Sequence, residues 1–248
     1  MKLLGIDIGG SGVKGALVDT KKGKLITDRF RIPTPQPAKP QAVIGVVKEI
    51  VQHFDYKGPL GVGFPGVVMD GVTKTAANMD DSWIGYPAAR NIALATNCDV
   101  TIRNDADVAG IAEMYHGVGK GVPGVVMIFT LGTGIGSVMF VNGTIVPNLE
   151  FGHLYLRNMK KGAEDFTADR IRKEKDLSWK EWGERLNTYF QHIEFLCSPD
   201  LLIIGGGVSK KHAKFLKYID LNAEVVPAEL RNEAGIIGAA MAAMPGID

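Results

Sequence analysis

The stretch LLGIDIGGSGVKG, residues 3–15, decides the fold predicted for this chain. An apolar strand carries one carboxylate, Asp7, directly into a glycine-rich turn that contains a hydroxyl and a lysine. Glycines allow backbone N–H groups to converge on an anion, and a carboxylate beside them suits a hydrated Mg²⁺ better than a bare phosphate. We therefore expect a phosphoryl-transfer site with Asp7 as the metal-binding residue. The predicted phosphate-binding residues of this turn are Gly9, Gly10, Ser11, Gly12 and Lys14.

The same stretch contains a Gly-x-Gly-x-x-Gly spacing, at residues 10–15, that is typical of dinucleotide sites. Such sites need a helix directly after the glycines and an acidic residue at the end of the second strand. Here residues 13–18 read as a second strand, residues 20–23 as a tight turn and residues 25–32 as a third strand. A hairpin over the turn argues against a dinucleotide site. Two alternatives to a phosphate-binding turn remain open. In the first, the glycines form a hairpin turn that binds no ligand, and in the second, Lys14 is an ordinary lysine on the face of a strand.

The composition excludes several classes of partner. The 28 Lys and Arg residues balance 27 Asp and Glu residues in a chain of 248, so no overall field attracts nucleic acid or a membrane. Cys98 and Cys197 lack metal-ligand or redox spacing and fit reduced residues of a cytosolic protein. The first apolar stretch carries Asp7 and is not typical of a signal peptide. We expect a cytoplasmic protein with one large domain or two small ones.

A second glycine-rich turn repeats the pattern of the first. Residues 125–131 read as a buried strand, followed by the glycines of residues 132–136 and by a hairpin across Asn142-Gly143. Two β-rich lobes, each with its own phosphate turn, would produce this repetition. We expect Thr133 and Gly134 to bind phosphate, with a bare hairpin turn as the alternative.

A third glycine segment, residues 205–209, follows the apolar run 201–204 and is predicted to open a helix. A helix N-terminus can receive phosphate through Gly206 and Gly207, although a tight strand–helix connection needs the same glycines. The basic run 210–217 follows at once. Its first members, Lys210 and Lys211, either hold a long polyanion or lie on a solvated helix face.

The chain turns helical between these segments. Ser178 and Glu181 form a capping-box pattern, and an apolar stripe over residues 179–196 follows it. The stripe is typical of core packing or of a dimer surface.

Two polar motifs are candidates for the chemistry. Asn104-Asp105 comes where a predicted strand, residues 99–103, meets a predicted helix, residues 106–115, and the carboxyl ends of such strands face the ligand crevice. Asp105 fits a general base toward a hydroxyl, while an ordinary helix cap is the alternative. Glu150 and His153 offer hydrogen bonds suited to vicinal hydroxyls, with an exposed polar turn as the alternative.

The joint order of these motifs resembles the repressor–open reading frame–kinase (ROK) family of sugar kinases, within the hexokinase/actin-like superfamily. The resemblance implies an α/β, two-lobed, hexokinase/actin-like (ribonuclease H-like) fold with mixed sheets and flanking helices. It implies a small lobe of residues 1–105 plus 235–248, a large lobe of residues 106–234, and an active site in the cleft between them. It also implies a homodimer, for which residues 179–196 are a candidate surface.

The sequence departs from most members of that family in one segment. Residues 154–175 contain no cysteine, whereas most members carry a zinc-binding histidine-and-cysteine cluster there. We therefore expect no zinc, and no counterpart of the second sugar-binding glutamate that accompanies the cluster. The chain also starts at the first kinase strand, so the DNA-binding role of the repressor members is not expected.

A closer resemblance is to a subfamily that lacks the zinc cluster and takes phosphate from inorganic polyphosphate. It is carried by GFPGVV at residues 63–68, TAANMD at residues 75–80, SWIG at residues 82–85 and LRNEAG at residues 230–235. It implies phosphorylation of the 6-hydroxyl of glucose with Mg²⁺, from polyphosphate and/or ATP, with Asp105 as the catalytic base. The implied glucose-binding residues are Gly66, Asn78, Asn104, Asp105, Glu150 and His153. The alternatives are an ATP-dependent kinase for glucose, mannose or another hexose, and a non-catalytic sugar sensor.

Overall fold

The computed structural model describes residues 1–76, 78–157 and 159–247. Contacts divide the chain into unit 1, Met1–His116 with Glu233–Asp248, and unit 2, Gly117–Asn232. Asp248 lies outside the described residues. The sequence placed the boundary after residue 105, whereas the division in the structure follows His116. The reason is that the helix beginning at Asp105 packs against the C-terminal helix of unit 1.

Unit 1 is built on a six-stranded mixed sheet. Its strands are β1 (Lys2–Gly9), β2 (Gly12–Asp19), β3 (Lys24–Leu25), β4 (Phe30–Ile32), β5 (Leu60–Phe64) and β8 (Val100–Asn104). Two short strands outside this sheet, β6 (Val68–Met69) and β7 (Val72–Thr73), pair with each other. The order is β3-β2-β1-β5-β8, with β4 paired to β2. β1 is antiparallel to β2 and parallel to β5, so the predicted hairpin over the first glycine turn is confirmed.

The third strand predicted over residues 25–32 is interrupted, and this expectation was wrong. The Leu17 N–H donates to the hydroxyl of Thr27 at 3.1 Å, where a continuous ladder would use a backbone carbonyl. The side chain therefore replaces the ladder bond, and β3 and β4 form as separate short strands.

Four helices flank this sheet: α1 (Pro40–His53), α2 (Ala88–Thr96), α3 (Asp105–His116) and, from the end of the chain, α7 (Ala234–Ala242). Pro40 begins α1, where a fixed φ and a missing N–H cost nothing. Val43, Val47 and Ile50 of α1 are fully buried in the same core as the apolar residues of β1 and β5. This packing fixes the carboxyl ends of β1, β5 and β8, where the candidate residues begin.

Unit 2 repeats the arrangement around β9 (Val125–Leu131), β10 (Ile135–Val141), β11 (Thr144–Val146), β12 (Leu201–Gly205) and β13 (Glu224–Pro227). The strand order is β11-β10-β9-β12-β13. β9 is antiparallel to β10 and parallel to β12, as β1 is to β2 and β5. The predicted repetition of strand, glycine turn and hairpin is therefore confirmed, and the mixed sheets with flanking helices are of the predicted fold class.

The helices of unit 2 are α4 (Glu164–Thr167), α5 (Asp169–Glu174) and α6 (Trp179–Cys197). The predicted capping box begins α6. Residues 182–193 of its apolar stripe supply buried core side chains against β9 and β12, whereas Trp179 is half-buried and Leu196 is 51% exposed. The prediction that the stripe packs in the core is therefore confirmed for its middle part only. No helix in the described part of the chain is long and apolar enough to cross a membrane.

Candidate active site

The first glycine turn, residues 9–12, is held by hydrogen bonds from three side chains. The Thr34 hydroxyl donates to the carbonyl of Gly9, the Gln36 amide to that of Gly10 at 3.5 Å, and Arg31 to that of Ser11 at 2.7 Å. Because the carbonyl oxygens are engaged there, an anion at the turn meets N–H groups rather than lone pairs. The sequence did not reveal these donors, because they come from residues 31–36, outside the predicted turn.

Asp7 and Lys14 are register partners on β1 and β2. The Lys14 Nζ lies 3.3 Å from Asp7 Oδ2, and both side chains are partly buried. Within the described residues, no group of three or more His, Cys, Asp or Glu side chains is placed to hold a metal. Mg²⁺ is usually held by one or two carboxylates together with substrate phosphates and water. The single carboxylate of Asp7 fits such an ion.

Asn104 and Asp105 join β8 to α3. The Asn104 Oδ1 accepts hydrogen bonds from the N–H groups of Ala106 at 2.8 Å and Asp107 at 3.2 Å, so Asn104 caps the helix. Its Nδ2 donates to the carbonyl of Gly66 at 3.1 Å. The amide thus ties the loop after β5 to the start of α3, where Asp105 is half-buried. The structure places Gly66, Asn104 and Asp105 together at the carboxyl ends of two parallel strands. This is the position that the sequence predicted for Asn104 and Asp105.

Asn78 lies against the first glycine turn. A Cβ added at Gly10 would lie 3.2 Å from the Cβ of Asn78, so a side chain at residue 10 would press on it. Asn78 is exposed and has a left-handed backbone conformation, with φ of 58°. A residue predicted to bind sugar therefore borders a turn predicted to bind phosphate, which is the placement that phosphoryl transfer requires.

Glu150 and His153 are joined by the short 3-10 helix Phe151–His153. The His153 Nε2 lies 3.6 Å from Glu150 Oε2, and the side chains are 62% and 35% exposed. Burial raises the pKa of Glu150 above its usual value. The charge of His153 opposes this shift, and the charge of Glu164 adds to it.

Glu164 is the residue that sequence reasoning missed. No counterpart of a second sugar-binding glutamate was expected in residues 154–175, yet Glu164 Oε1 lies 3.9 Å from His153 Nδ1. The Ile135 N–H donates to Glu164 Oε2 at 3.1 Å, and a Cβ at Gly134 would lie 2.5 Å from the same oxygen. Glu164 therefore contacts both the second glycine turn and His153. The sequence separation of residues 153 and 164 gives no sign of this contact. It forms because Tyr155 and Gly162 pair in an antiparallel β-bridge, which brings the two residues together.

The second glycine turn opens onto a cavity of about 600 Å³ within unit 2. Four predicted phosphate residues or their neighbours line it: Gly132, Thr133, Gly207 and Lys211. Arg170 holds the turn through two hydrogen bonds. Its side-chain Nε donates to the carbonyl of Thr133 at 3.1 Å, and its backbone N–H donates to the carbonyl of Gly132 at 3.1 Å. Lys210 is not among the lining residues.

The third glycine segment differs from its prediction. Instead of an α-helix, Gly207–Lys214 is a 3-10 helix with a kink at Lys211. The Gly206 carbonyl accepts hydrogen bonds from the N–H of Ser209 at 3.1 Å and from its hydroxyl at 2.8 Å. A kinked 3-10 helix lacks the aligned N–H groups of an α-helix N-terminus. Gly207 therefore lines the cavity without forming the predicted helix-end site, and Gly206 is not among the lining residues.

Comparison with known proteins gives consistent matches over the length of the chain. The sequence model of the ROK family matches residues 3–164. The polyphosphate glucokinase of Mycobacterium tuberculosis (strain CDC 1551 / Oshkosh) is 48% identical over 241 residues, covering 97% of this chain and 90% of that protein. The inorganic polyphosphate/ATP-glucomannokinase of Arthrobacter sp. strain KM has a TM-score of 0.92 and 45% identity, and the match covers 98% of each chain. A ROK family glucokinase from Streptomyces griseus, solved with glucose and AMPPNP, shares the fold with a TM-score of 0.84 at 21% identity, over 97% of this chain and 98% of that one.

Proposed function

Because this chain belongs to the ROK family, we propose that it phosphorylates the 6-hydroxyl of glucose with inorganic polyphosphate as the donor, giving glucose 6-phosphate. Two contacts carry the proposal: Asn78 against Gly10 in unit 1, and Glu164 between His153 and Gly134 in unit 2. In each unit, a predicted sugar-binding residue is thereby coupled to a predicted phosphate turn. The 48% identical M. tuberculosis protein, named a polyphosphate glucokinase, supports the choice of donor and acceptor.

Asp105 is the proposed general base. The oxygen of the 6-hydroxyl forms a bond to the terminal phosphorus of the donor, and its proton passes to the Asp105 carboxylate. The bond between that phosphorus and the next bridging oxygen breaks, which leaves a chain that is one phosphate shorter. Such transfers need positioning and charge neutralisation more than covalent help, and a positioned base contributes about 10²–10⁴-fold.

Residues for glucose recognition are assigned within each unit separately. In unit 1 the Asn104 amide fixes the Gly66 loop, which offers backbone groups near Asp105. Asn78, which lies against Gly10, is assigned as a further polar group. In unit 2 Glu150 and His153 supply an acceptor and a second hydrogen-bonding group for vicinal hydroxyls. We add Glu164 to this set because it orients His153.

Donor phosphates are assigned to the two glycine turns. Lys14 adds a cation at the first turn, Thr133 and Gly134 form the second, and Gly206, Gly207, Lys210 and Lys211 are proposed to extend the site beyond it. Asp7 is the residue that would hold Mg²⁺, directly or through water. When bound, Mg²⁺ neutralises charge on the donor phosphates.

ATP and mannose are the second donor and acceptor that we propose. The relative from Arthrobacter, 45% identical, is named a polyphosphate/ATP-glucomannokinase. Polyphosphate and ATP both end in a chain of phosphates, so the same turns serve both. Turnover of the wild-type protein with glucose or mannose and Mg²⁺, with each donor supplied separately, tests the proposal. Glucose 6-phosphate formation from polyphosphate is expected, and its absence with both donors would leave a sugar sensor as the better account.

We also propose that the enzyme acts in the cytoplasm as a homodimer. Both thiols are free, Cys98 being buried and Cys197 half-buried. Phe195 at the end of α6 is 83% exposed and Leu196 beside it is 51% exposed, an apolar surface that a second copy would cover. Light scattering of the wild type and of Phe195→Glu tests this, and a monomeric wild type would contradict it.

A further inference from the structure

Tyr189, in the middle of α6, carries a hydroxyl that the core of unit 2 does not use. The side chain is 0% exposed, and no group in the described part of the chain forms a hydrogen bond with its hydroxyl. Trp182 on the same helix shows the usual arrangement, since its indole N–H donates to the carbonyl of Thr167 at 2.8 Å. A buried hydroxyl without a partner destabilises a fold, and a phenylalanine would fill the same space without that cost. Packing alone therefore does not account for the hydroxyl.

Aromatic neighbours fix the ring of Tyr189 in place. Phe129 of β9 packs edge-on against it, with ring centroids 5.8 Å apart, and the centroid of Phe190 lies at 5.1 Å. Both neighbouring rings are fully buried as well. Because a protein interior is close-packed, the phenol has no room to turn toward solvent. A partner for the hydroxyl must therefore come from a segment that packs against α6.

Glu164 is the polar side chain placed to become that partner. It begins α4, which packs against α6. Ala163 and Ile135, which adjoin Glu164 in sequence and by a hydrogen bond, belong to the same buried cluster as Tyr189. Burial raises the pKa of Tyr189 well above its usual value, and the charges of Glu164 and Cys197 raise it further. The phenol is therefore protonated and able to donate, and it senses the Glu164 carboxylate.

The Glu164 carboxylate has acceptor capacity to spare. It accepts one hydrogen bond, from the Ile135 N–H at 3.1 Å, whereas a carboxylate offers about four lone-pair sites. Its Oε1 lies 3.9 Å from His153 Nδ1, which is longer than a hydrogen bond. Contacts of this kind often tighten only when the substrate is bound. A second donor to Glu164 would fix the carboxylate as that contact closes.

We propose that Tyr189 is a positioning residue of the sugar site: when glucose is bound, its hydroxyl donates to the Glu164 carboxylate and fixes the orientation in which Glu164 holds His153. Tyr189 touches no substrate and acts only through Glu164. The inference rests on the proposed function, because it requires His153 to bind the sugar.

Kinetics and thermal unfolding of Tyr189→Phe, which removes only the hydroxyl, test the proposal. The KM for glucose is expected to rise about tenfold, the effect of losing one hydrogen bond to a charged group, while kcat changes by less than about twofold. The Tm without sugar should stay the same or rise, because an unpaired buried hydroxyl is removed. A KM for glucose that stays at the wild-type value would overturn the proposal.

Tyr56→Phe is the matched control. The Tyr56 hydroxyl in unit 1 already has a partner, since it donates to the carbonyl of Pro59 at 2.7 Å. Its removal should lower the Tm and leave the KM for glucose unchanged, which is the opposite of the result expected for Tyr189→Phe. The same rise in KM in both variants would show that the effect is not specific to the sugar site and would contradict the proposal.

A double variant tests whether Tyr189 acts through Glu164. In Glu164→Ala the carboxylate is absent, so adding Tyr189→Phe should not raise the KM for glucose any further. Residues that act on each other in this way show non-additive effects, whereas independent residues show additive ones. A further rise of about tenfold in Glu164→Ala/Tyr189→Phe, equal to the rise in Tyr189→Phe alone, would contradict the assignment.

Titration with glucose, without donor, distinguishes this inference from the proposed function. A phenol that gains a hydrogen-bond acceptor changes its near-ultraviolet absorption. Glucose should therefore produce a tyrosine difference spectrum in the wild type and in Tyr56→Phe that is absent in Tyr189→Phe. A wild type that gives this spectrum but phosphorylates no sugar would contradict the function alone. A wild type that phosphorylates glucose, with a Tyr189→Phe variant that matches it in KM and spectrum, would contradict the role of Tyr189 alone.

Discussion

The Lys14 ammonium lies 3.3 Å from the Asp7 carboxylate, across the strand pair that carries the first glycine turn. The register sets both side chains opposite each other, where oppositely charged pairs attract. Lys14 and the Mg²⁺ that Asp7 is proposed to hold would serve the same end, because both are cations that would neutralise charge on the donor phosphates. The position of Lys14 beside Asp7 therefore supports the proposal that Lys14 binds the phosphates of the donor, rather than being a plain strand-face residue.

Lys14→Met should weaken use of the phosphoryl donor. Loss of a charge-assisted contact worth about 1.5–3 kcal/mol lowers kcat/KM for polyphosphate by about 10–100-fold, while KM for glucose changes by less than about twofold. Steady-state kinetics with each substrate varied in turn checks this. Lys24→Met, an exposed lysine on β3 of the same sheet, is the control. Unchanged donor kinetics in Lys14→Met would remove Lys14 from the phosphate site.

Glu164→Gln should move the acid limb of the pH profile to lower pH. In the proposed site, the Glu150 carboxylate accepts a hydrogen bond from glucose. Its raised pKa means that this group takes up its proton at a higher pH than an ordinary glutamate. kcat/KM for glucose therefore falls as pH decreases through that pKa. Removing the negative charge of Glu164 takes away one cause of the raised pKa of Glu150, so Glu150 becomes protonated at a lower pH. The same profile for Glu184→Gln on α6 is the control, and a limb that stays in place in Glu164→Gln would argue against Glu150 as the acceptor.

Ser178→Ala should destabilise unit 2 at the start of α6. The Ser178 hydroxyl accepts from the N–H of Glu181 at 3.2 Å, and the Ser178 N–H donates back to Glu181 Oε2 at 2.9 Å. Loss of an N-cap of this kind lowers the free energy of unfolding by about 1 kcal/mol. Urea denaturation measures the change. Ser178→Asn, which keeps a capping oxygen, should recover most of it, and equal loss in both variants would show that the cap is not the cause.

Local patterns predicted the parts of the fold that depend on neighbouring residues. Both glycine turns and their hairpins follow from apolar strands that run into glycines, and α6 follows from its capping box and its apolar spacing. The placement of Asn104 and Asp105 followed from a general property of parallel strands. These elements needed no knowledge of distant partners.

Contacts between distant residues were not predictable in the same way. The break between β3 and β4 depends on one hydroxyl, that of Thr27, reaching the N–H of Leu17 on the neighbouring strand. Glu164 reaches His153 only because the segment between them folds back through the Tyr155–Gly162 bridge. Trp179 looked like one more apolar residue of a stripe, but the Arg172 guanidinium of α5 lies 4.2 Å from its ring centroid. In each case a tertiary contact decides the role of a residue that its own neighbours do not reveal.

The most direct test of the account is the rate of glucose 6-phosphate formation by the Asp105→Ala variant, measured with saturating glucose, Mg²⁺ and polyphosphate. Asp99→Ala, an exposed carboxylate just before β8, the strand that leads to Asp105, is the matched control, and circular dichroism verifies that both variants fold. If Asp105 takes the proton of the 6-hydroxyl, kcat falls by at least about 10²-fold in Asp105→Ala and stays at the wild-type value in Asp99→Ala. Near wild-type turnover in a folded Asp105→Ala variant would contradict the account.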